Sequence, residues 1–347
     1  MGGIDRRTLK IVWTIFLFAL VAAFVYFVRR TLMIFVLALF FAHLLGPIVG
    51  FFERMFATRV PRVVILVFVY VGMVAVIVLV AVSVGSRIGE EAASLAQRLP
   101  NLMKQQDPLT KVPMPAWLEF ARPRLSAMLQ ERVSDLESNV LPILSSAGVQ
   151  ILSGIGNILS TILIPILSFF FLKDGAAMRK GIVESFPSAK QAVINDIFVD
   201  LHLLLAQYIR ALVLLALLTF VFYTSFLSLV SVSYAVLLAG IAAILEFIPV
   251  VGPLTASAVI LLVGAFTGYP HLWWVVIFLV VFRIFQDYAV SPFLMSSGVE
   301  VHPLLVLFGV LAGEQIAGVP GMFFSVPVIA ALRVLYVRLR RHRRAVG

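Results

Sequence analysis

Long apolar runs separated by short charged punctuation dominate the chain. A bilayer's hydrocarbon core, about 30 Å thick, needs roughly 20 apolar helical residues to cross it. Ile11 to Val28, Thr31 to Phe52 and Val63 to Val84 each meet that length. Arg29 and Arg30 leave room for only a tight hairpin between the first two, and Arg54, Arg59 and Arg62 divide the second from the third. From Ser86 to about Gly148 charged residues and prolines return. Within this section Ile88, Ala92, Leu95, Leu99 and Leu102, then Leu125, Leu129, Val133, Leu136 and Val140, recur at helical spacing. That spacing predicts two amphipathic helices outside the membrane, packed on each other, lying on the membrane surface or joining neighbouring subunits.

A further span is predicted from Ile151 to Leu172, closing on "FFFLKDG", where Gly175 is placed to end the helix. An aqueous stretch to about Asp200 follows, then one long helix from about Leu203 to Val230. Gln207 and Arg210 fall on one face of that helix. Beyond Ser231 the apolar stretches shorten, with interruptions at "EFIPVVGP" (246–253), at Gly268 to His271, at Ser291-Pro292 and at Gly318 to Gly321, before a last span from about Met322 to Val337. The chain therefore divides into 1–85 (three spans), 86–148 (amphipathic helices), 149–230 (spans with an aqueous segment at 173–200), 231–338 (the interrupted region) and a basic tail, 339–347.

Two of the interruptions resemble each other. "LLAGIAAILEFIPVVGP" and "LFGVLAGEQIAGVPG" each run from an apolar arm through a glycine and a glutamate to a proline/glycine break. Arms of about 8 to 15 residues are too short to cross a bilayer alone. Unpaired backbone in hydrocarbon costs several kcal/mol per group, so such breaks survive only where protein or water surrounds them. Paired, interrupted apolar segments point to a transporter's substrate site, here Glu246, Pro249, Gly252 and Pro253 in the first and Glu314, Gly318 and Pro320 in the second. The competing reading is a tight surface loop with Glu246 in water.

Composition agrees with a bilayer environment: 62% of residues are hydrophobic and the mean hydropathy is +1.08. The absence of cysteine removes disulfides and thiolate metal sites from consideration, and no metal or cofactor is expected. The net charge of +10 lies at span ends and in "RLRRHRR", a placement that fits membrane orientation and contact with anionic lipid rather than nucleic acid. It predicts a multi-pass protein of the cell membrane with both termini and the Arg54–Arg62 loop in the cytoplasm, and section 86–148 outside. Arg29 and Arg30 then face outward, against the rule.

Charged residues inside spans cost at least about 2.5–3.5 kcal/mol each on insertion scales, so they carry information. Arg283 and Asp287 in "VFRIFQDYAV" are four apart, on one helical face with Gln286 beside them. They form a structural ion pair or part of a gate. Glu246 and Glu314 have no basic neighbour in sequence, so they are candidates for protonation or cation binding, with Arg210 as the distant counter-charge. His43 and His302 titrate near neutrality in principle. No HExxH, phosphate-binding glycine loop or GxSxG elbow occurs, and no nucleophile stands at reachable spacing from a base. No enzymatic activity is expected.

The order "FFFLKDG", "GIAAILEFIPVVGP" and "SPFLMSSGVEVHPLLVLFGVLAGEQIAGVPGMFFSVPVIAALRVLY" resembles the autoinducer-2 exporter family, also called PerM-like permeases, over essentially the whole chain. The resemblance implies an all-α polytopic membrane protein of about eight membrane segments, with re-entrant helical hairpins and amphipathic extramembrane helices. It also implies a homo-oligomer, a pentamer as in some relatives, and elevator-like movement. Family solutes differ: a small furanone signalling molecule for some members, sodium or lithium exchanged for protons for others. Glu246 and Asp287 depart from the family's usual residues, where Asn or another polar residue, and Asn or Glu, are common. The leading reading is a permease for a small polar solute, the second a monovalent cation/proton antiporter, and the third an intramembrane enzyme or scaffold.

Overall fold

The structure, a computed structural model, describes residues 6–56, 60–104, 119–120, 123–124, 158–290, 292 and 302–346. The helices are α1 (Arg6–Phe27), α2 (Arg29–Met55), α3 (Arg62–Val80), α4 (Ser86–Lys104), α5 (Ile158–Glu184), α6 (Ser188–Leu229), α7 (Ala235–Leu245), α8 (Val251–Phe266), α9 (Leu272–Phe285) and α10 (Pro303–Val346). No strand occurs among the described residues. Among the described residues, five segments are long and apolar enough to cross a membrane: Thr31–Met55, Arg62–Arg98, Ser188–Leu229, Leu272–Val290 and Leu304–Arg340. Three shorter apolar helices, Val12–Phe27, Ala235–Leu245 and Val251–Phe266, accompany them. The protein is an all-α polytopic membrane protein.

Several boundaries differ from the sequence expectation. Gly175 does not end a helix, because α5 continues through Lys173, Asp174 and Gly175 to Glu184. An interior glycine costs only about 1 kcal/mol relative to alanine, and the helix-forming Ala176, Ala177 and Met178 follow it. The long helix starts at Ser188 rather than Leu203, directly after Pro187. Section 173–200 is thus two helix ends joined by a short turn. The third span does not stop at Val84: a π-helical turn, Ala81–Gly85, carries α3 straight into α4. Polarity changes there while backbone geometry persists. The second amphipathic helix, Leu125 to Val140, and the Ser291 break fall outside the described residues.

Two compact units are present. One draws on α1, α2, α3 as far as Tyr70 and α5 as far as Lys180. In it Ala38, Ala42, Leu45 and Val49 form the buried stripe of α2, at helical spacing, and Ile65, Leu66 and Val69 that of α3. The buried hydroxyls of Tyr70 and Ser168 bond to each other, and Arg62 joins two more elements by pairing with Glu53 at 3.0 Å and donating to the Leu172 carbonyl at 3.1 Å.

The other unit has an apolar core built from α4, α6, α7, α8 and α9, including Ala92, Leu95, Tyr223, Leu227, Leu238, Ala239, Ile260, Val275 and Phe282. Phe226 stacks on Phe278 with centroids 4.0 Å apart, and Tyr223 meets Phe278 and Phe282 edge-on at 5.1 Å each. Tyr269 donates to the Val230 carbonyl at 2.9 Å, giving the end of α6 an acceptor's partner. Arg338 grips Asp200 through two bonds of 2.6 and 2.9 Å and Asp196 at 3.4 Å, tying the last turns of α10 to the first of α6.

Both interruptions in the second unit are helical hairpins. The chain reverses between α7 and α8 within Glu246–Val250. It reverses again inside α10 at Gly318, whose φ of 63° and ψ of −142° suit glycine alone, the first residue of the expected Gly318–Gly321 break. The two arms of α10 then meet backbone to backbone: a Cβ on Gly313 would lie 2.3 Å from the Gly321 carbonyl oxygen, and Gly309 faces Ser325 and Ile329. Small residues permit that approach, as in membrane helix pairs generally. Gly313→Leu is expected to force the arms apart and cost on the order of 3 kcal/mol, measured as a fall in Tm of purified protein, while Gly72→Leu, with open space at its Cβ, does not lower Tm.

Candidate functional site

The turn after α7 is built around an uncommon conformation. Val250 has φ 65° and ψ −57°, and the Val251 N–H donates to the Pro249 carbonyl at 2.7 Å, the geometry of a γ-turn. A positive φ at a β-branched residue is a strained conformation. The turn tightens further at Gly252, where a Cβ would lie 1.8 Å from the Leu245 carbonyl oxygen. Pro253, in the first turn of α8, lacks an N–H that would have no helical partner there. This motif therefore exists to reverse the chain within a few residues, and Glu246 sits where the reversal begins, as the C-cap of α7.

Glu246 is 9% exposed. Its Oε1 accepts from Gln286 Nε2 at 2.6 Å and its Oε2 from the Thr219 hydroxyl at 3.3 Å. Arg283 Nη1 stands 3.9 Å from Oε1, while Arg283 Nε bonds Asp287 Oδ2 at 2.9 Å. Three elements thus converge on one carboxylate: the middle of α6, the end of α7 and the end of α9. Gln286, 4% exposed, opens a π-helical turn, Gln286–Val290, and such turns recur at functional positions because the extra residue re-aims side chains. Arg283 and Asp287 are more exposed, so the cluster has a buried carboxylate at its inner end and an ion pair at its outer end. One guanidinium serves two carboxylates, an arrangement able to accept one further positive charge.

Sequence reasoning placed the Arg283–Asp287 pair on one face, and the two side chains are in contact. It did not place Arg283 next to Glu246. Arg210, expected as the counter-charge, instead donates to the Ala206 carbonyl of its own helix at 3.0 Å and lies nine residues, about 14 Å along the axis, from Thr219. Gln207 shares that distant turn. Pro249, Gly252 and Pro253 form the turn beside Glu246. Glu314 is exposed on the first arm of α10, Gly318 makes the reversal and Pro320 starts the second arm. The two interruptions approach each other through Phe247 and Phe323, with ring centroids 5.7 Å apart. Thr219 was missed, since a lone hydroxyl in an apolar helix gives no signal of its own. His43 Nδ1 lies 2.7 Å from the Leu39 carbonyl and His302 Nδ1 accepts from Leu304 N–H at 3.2 Å; neither joins the cluster. Among the described residues no group of His, Asp and Glu has metal-ligand geometry.

A family profile described as "AI-2E family transporter" matches residues 15–341. The chain belongs to the AI-2E transporter family. Some relatives of this AI-2E protein align over nearly its full length, others over about half of it. "Putative transport protein YueF" of Bacillus subtilis (strain 168) is 27% identical over 96% of this chain and 93% of its own. "AI-2 transport protein TqsA" of Escherichia coli (strain K12) is 23% identical over 95% and 92% respectively. The match holds both hairpins and the Glu246 cluster within its bounds. The AI-2E chain is accordingly a membrane permease.

Proposed function

We propose that the Glu246 cluster lies on the route of a small polar solute, and that the α7–α8 hairpin enters the membrane from one face without crossing it. The solute class under this reading is a small, oxygen-rich signalling molecule such as autoinducer-2, the molecule named for the relative TqsA. The observation that carries the reading is a buried carboxylate, held by an amide and a hydroxyl from two other helices, at the point where a short apolar helix breaks. At 1.5 Å per residue, the 11 residues of α7 and 16 of α8 reach only about 16 and 24 Å, short of the roughly 30 Å of hydrocarbon. The backbone freed at the break is tolerated beside a water-filled route and not against lipid. Under this reading both termini and the Arg54–Arg62 loop are cytoplasmic, as the placement of Lys and Arg along the sequence suggests.

Labelled autoinducer-2 taken up or released by proteoliposomes tests the solute. Uptake above protein-free vesicles that falls at least about tenfold in Thr219→Val and Gln286→Leu, each of which strips a bond of ordinary strength from Glu246, supports it. Equal uptake by all variants removes the cluster from the route.

A second reading, exchange of sodium or lithium for protons, is favoured by the single guanidinium shared between Glu246 and Asp287. A pH-sensitive dye inside the vesicles separates the two. Antiport predicts sodium-driven dye changes that vanish in Glu246→Gln, which retains an acceptor and loses the exchangeable charge. Solute flux that survives the same substitution assigns the carboxylate to recognition alone.

A further inference from the structure

We infer that Glu91 is a positioning residue for the Glu246 cluster, and that α4 and the α7–α8 hairpin behave as one body. Tyr234 precedes α7 in the left-handed region, with φ 64°, and provides no side-chain cap. First-turn amides need an acceptor from elsewhere. The Leu237 N–H donates at 2.8 Å to Glu91 Oε2, from a helix 146 residues away in sequence. A carboxylate at this end also meets the positive pole of the α7 dipole. The cap of α7 is therefore supplied in trans by α4.

The same face of α4 is fixed by packing. Ala92 and Leu95, 1% and 2% exposed, belong to the core that holds Leu238, Ala239 and Ala242. Ile88 presses on Gly240, where a Cβ would lie 3.1 Å from Ile88 Cδ1. Residues 88, 91, 92 and 95 follow the i, i+3, i+4, i+7 pattern, so the amphipathic stripe legible in the sequence is a seam against α7. It is not a membrane-surface face at these positions.

A short helix pinned at one end fixes its other end. α7 has only 11 residues, and Glu246 caps its C-terminus. Any slide or rotation of α7 against α4 moves Glu246 relative to Thr219, whose contact at 3.3 Å already lies near the limit for a hydrogen bond. Glu91 thus acts on the site through α7, and a displacement of the hairpin carries α4 with it. The π-helical turn Ala81–Gly85, which joins α4 to α3, is the place where such a movement is absorbed. The inference rests on the proposed function only for its consequence in transport; the mechanical linkage stands apart from it.

Amide hydrogen exchange of the full chain in lipid nanodiscs tests the linkage without requiring any flux. Glu91→Ala is expected to speed exchange about tenfold across 235–248, the loss of one hydrogen bond propagated along a cooperative helix. Glu91→Gln, which keeps an acceptor oxygen, is expected to stay within about twofold. The chain has no cysteine, so Ile88→Cys with Gly240→Cys places a single disulfide across the seam, and oxidation is expected to restore slow exchange in Glu91→Ala. Acceleration confined to 235–238 reduces Glu91 to a local cap and overturns the inference. Acceleration equally in α2 marks general destabilisation and overturns it too. Should Glu91→Ala fail to insert, the cysteine pair in an otherwise unaltered chain decides the matter: ready oxidation with unchanged exchange at 241–248 upholds the single body, and failure to oxidise refutes it. A protein that carries no autoinducer-2 and passes this test loses that solute and keeps the linkage.

Discussion

Gly252→Ala is expected to abolish transport while leaving total helix content nearly unchanged. The added methyl would stand 1.8 Å from the Leu245 carbonyl oxygen, a separation no backbone adjustment of a few tenths of an ångström relieves. The colliding atom is main chain, so no rotamer change clears it. The γ-turn at Val250 already holds a β-branched residue at positive φ, leaving no slack in the reversal. The hairpin must open, and Glu246 leaves Thr219 and Gln286 as it does. A loss of flux of at least about a hundredfold, equivalent to some 3 kcal/mol, is the scale set by a main-chain collision combined with the loss of a buried hydrogen-bonding set. Gly50→Ala supplies the control, since a Cβ there meets nothing within 4 Å and alanine favours a helix by about 1 kcal/mol. Flux measured in both variants, beside far-ultraviolet circular dichroism, checks the prediction. Normal transport by Gly252→Ala would show that the turn relaxes freely and that its geometry is not what holds the site.

The second large effect is expected from Arg283→Leu. It removes the guanidinium 3.9 Å from Glu246 and 2.9 Å from Asp287. Asp287 is 45% exposed, whereas Glu246 is 8% exposed by side chain and stays enclosed by protein. Stranding a buried carboxylate costs on the order of 2–3 kcal/mol here, the low end for broken buried pairs because Arg283 is itself 41% exposed and stands 3.9 Å away. The double variant Arg283→Leu/Glu246→Leu is expected to regain most of that stability, since apolar residues of similar volume replace buried pairs at little cost. It is not expected to regain flux. Thermal unfolding and flux on the two single variants and the double variant form a cycle. Additive stability losses would mean the two side chains do not interact, and recovered flux would mean the charges serve the fold alone.

The parts of the site that were legible in the sequence are local. Arg283 and Asp287 lie four apart on one helix, so helical geometry alone brings them together. Gly252 and Pro253 beside Pro249 announce a reversal, because those residues are suited to backbone conformations that others avoid. The stripe of Ile88, Ala92 and Leu95 reads as a buried face from its spacing. What it is buried against does not, and α7 turned out to be the partner. Glu246 illustrates the limit most clearly. Its partners Thr219 and Gln286 are 27 and 40 residues away, and nothing in the spacing of three separate apolar helices specifies which polar atoms will face one another. Arg210 stands out in sequence as a charge in an apolar helix, yet Arg283, four residues from Asp287, is the one within reach of Glu246.

Helix ends show the same division. Gly175 looked like a terminus because glycine following a charge is common at one; the decision rests on whether the residues beyond can continue, and here they do. Within the expected break, Gly318 to Gly321, the corner itself falls at Gly318, since proline fits the opening turn of the arm that follows, while only glycine adopts the conformation of the corner.

From the residues alone came a helical membrane protein, its apolar segments, the two reversals and the ion pair within one helix, all set by hydrophobic length, helical period and the conformational range of glycine and proline. Tertiary packing alone decided that Glu246 is enclosed by α6 and α9, that Arg283 divides itself between two carboxylates, and that α7 takes its cap from α4. Those outcomes depend on which faces of distant helices meet, and apolar surfaces adhere without regard to the polar atoms they carry along.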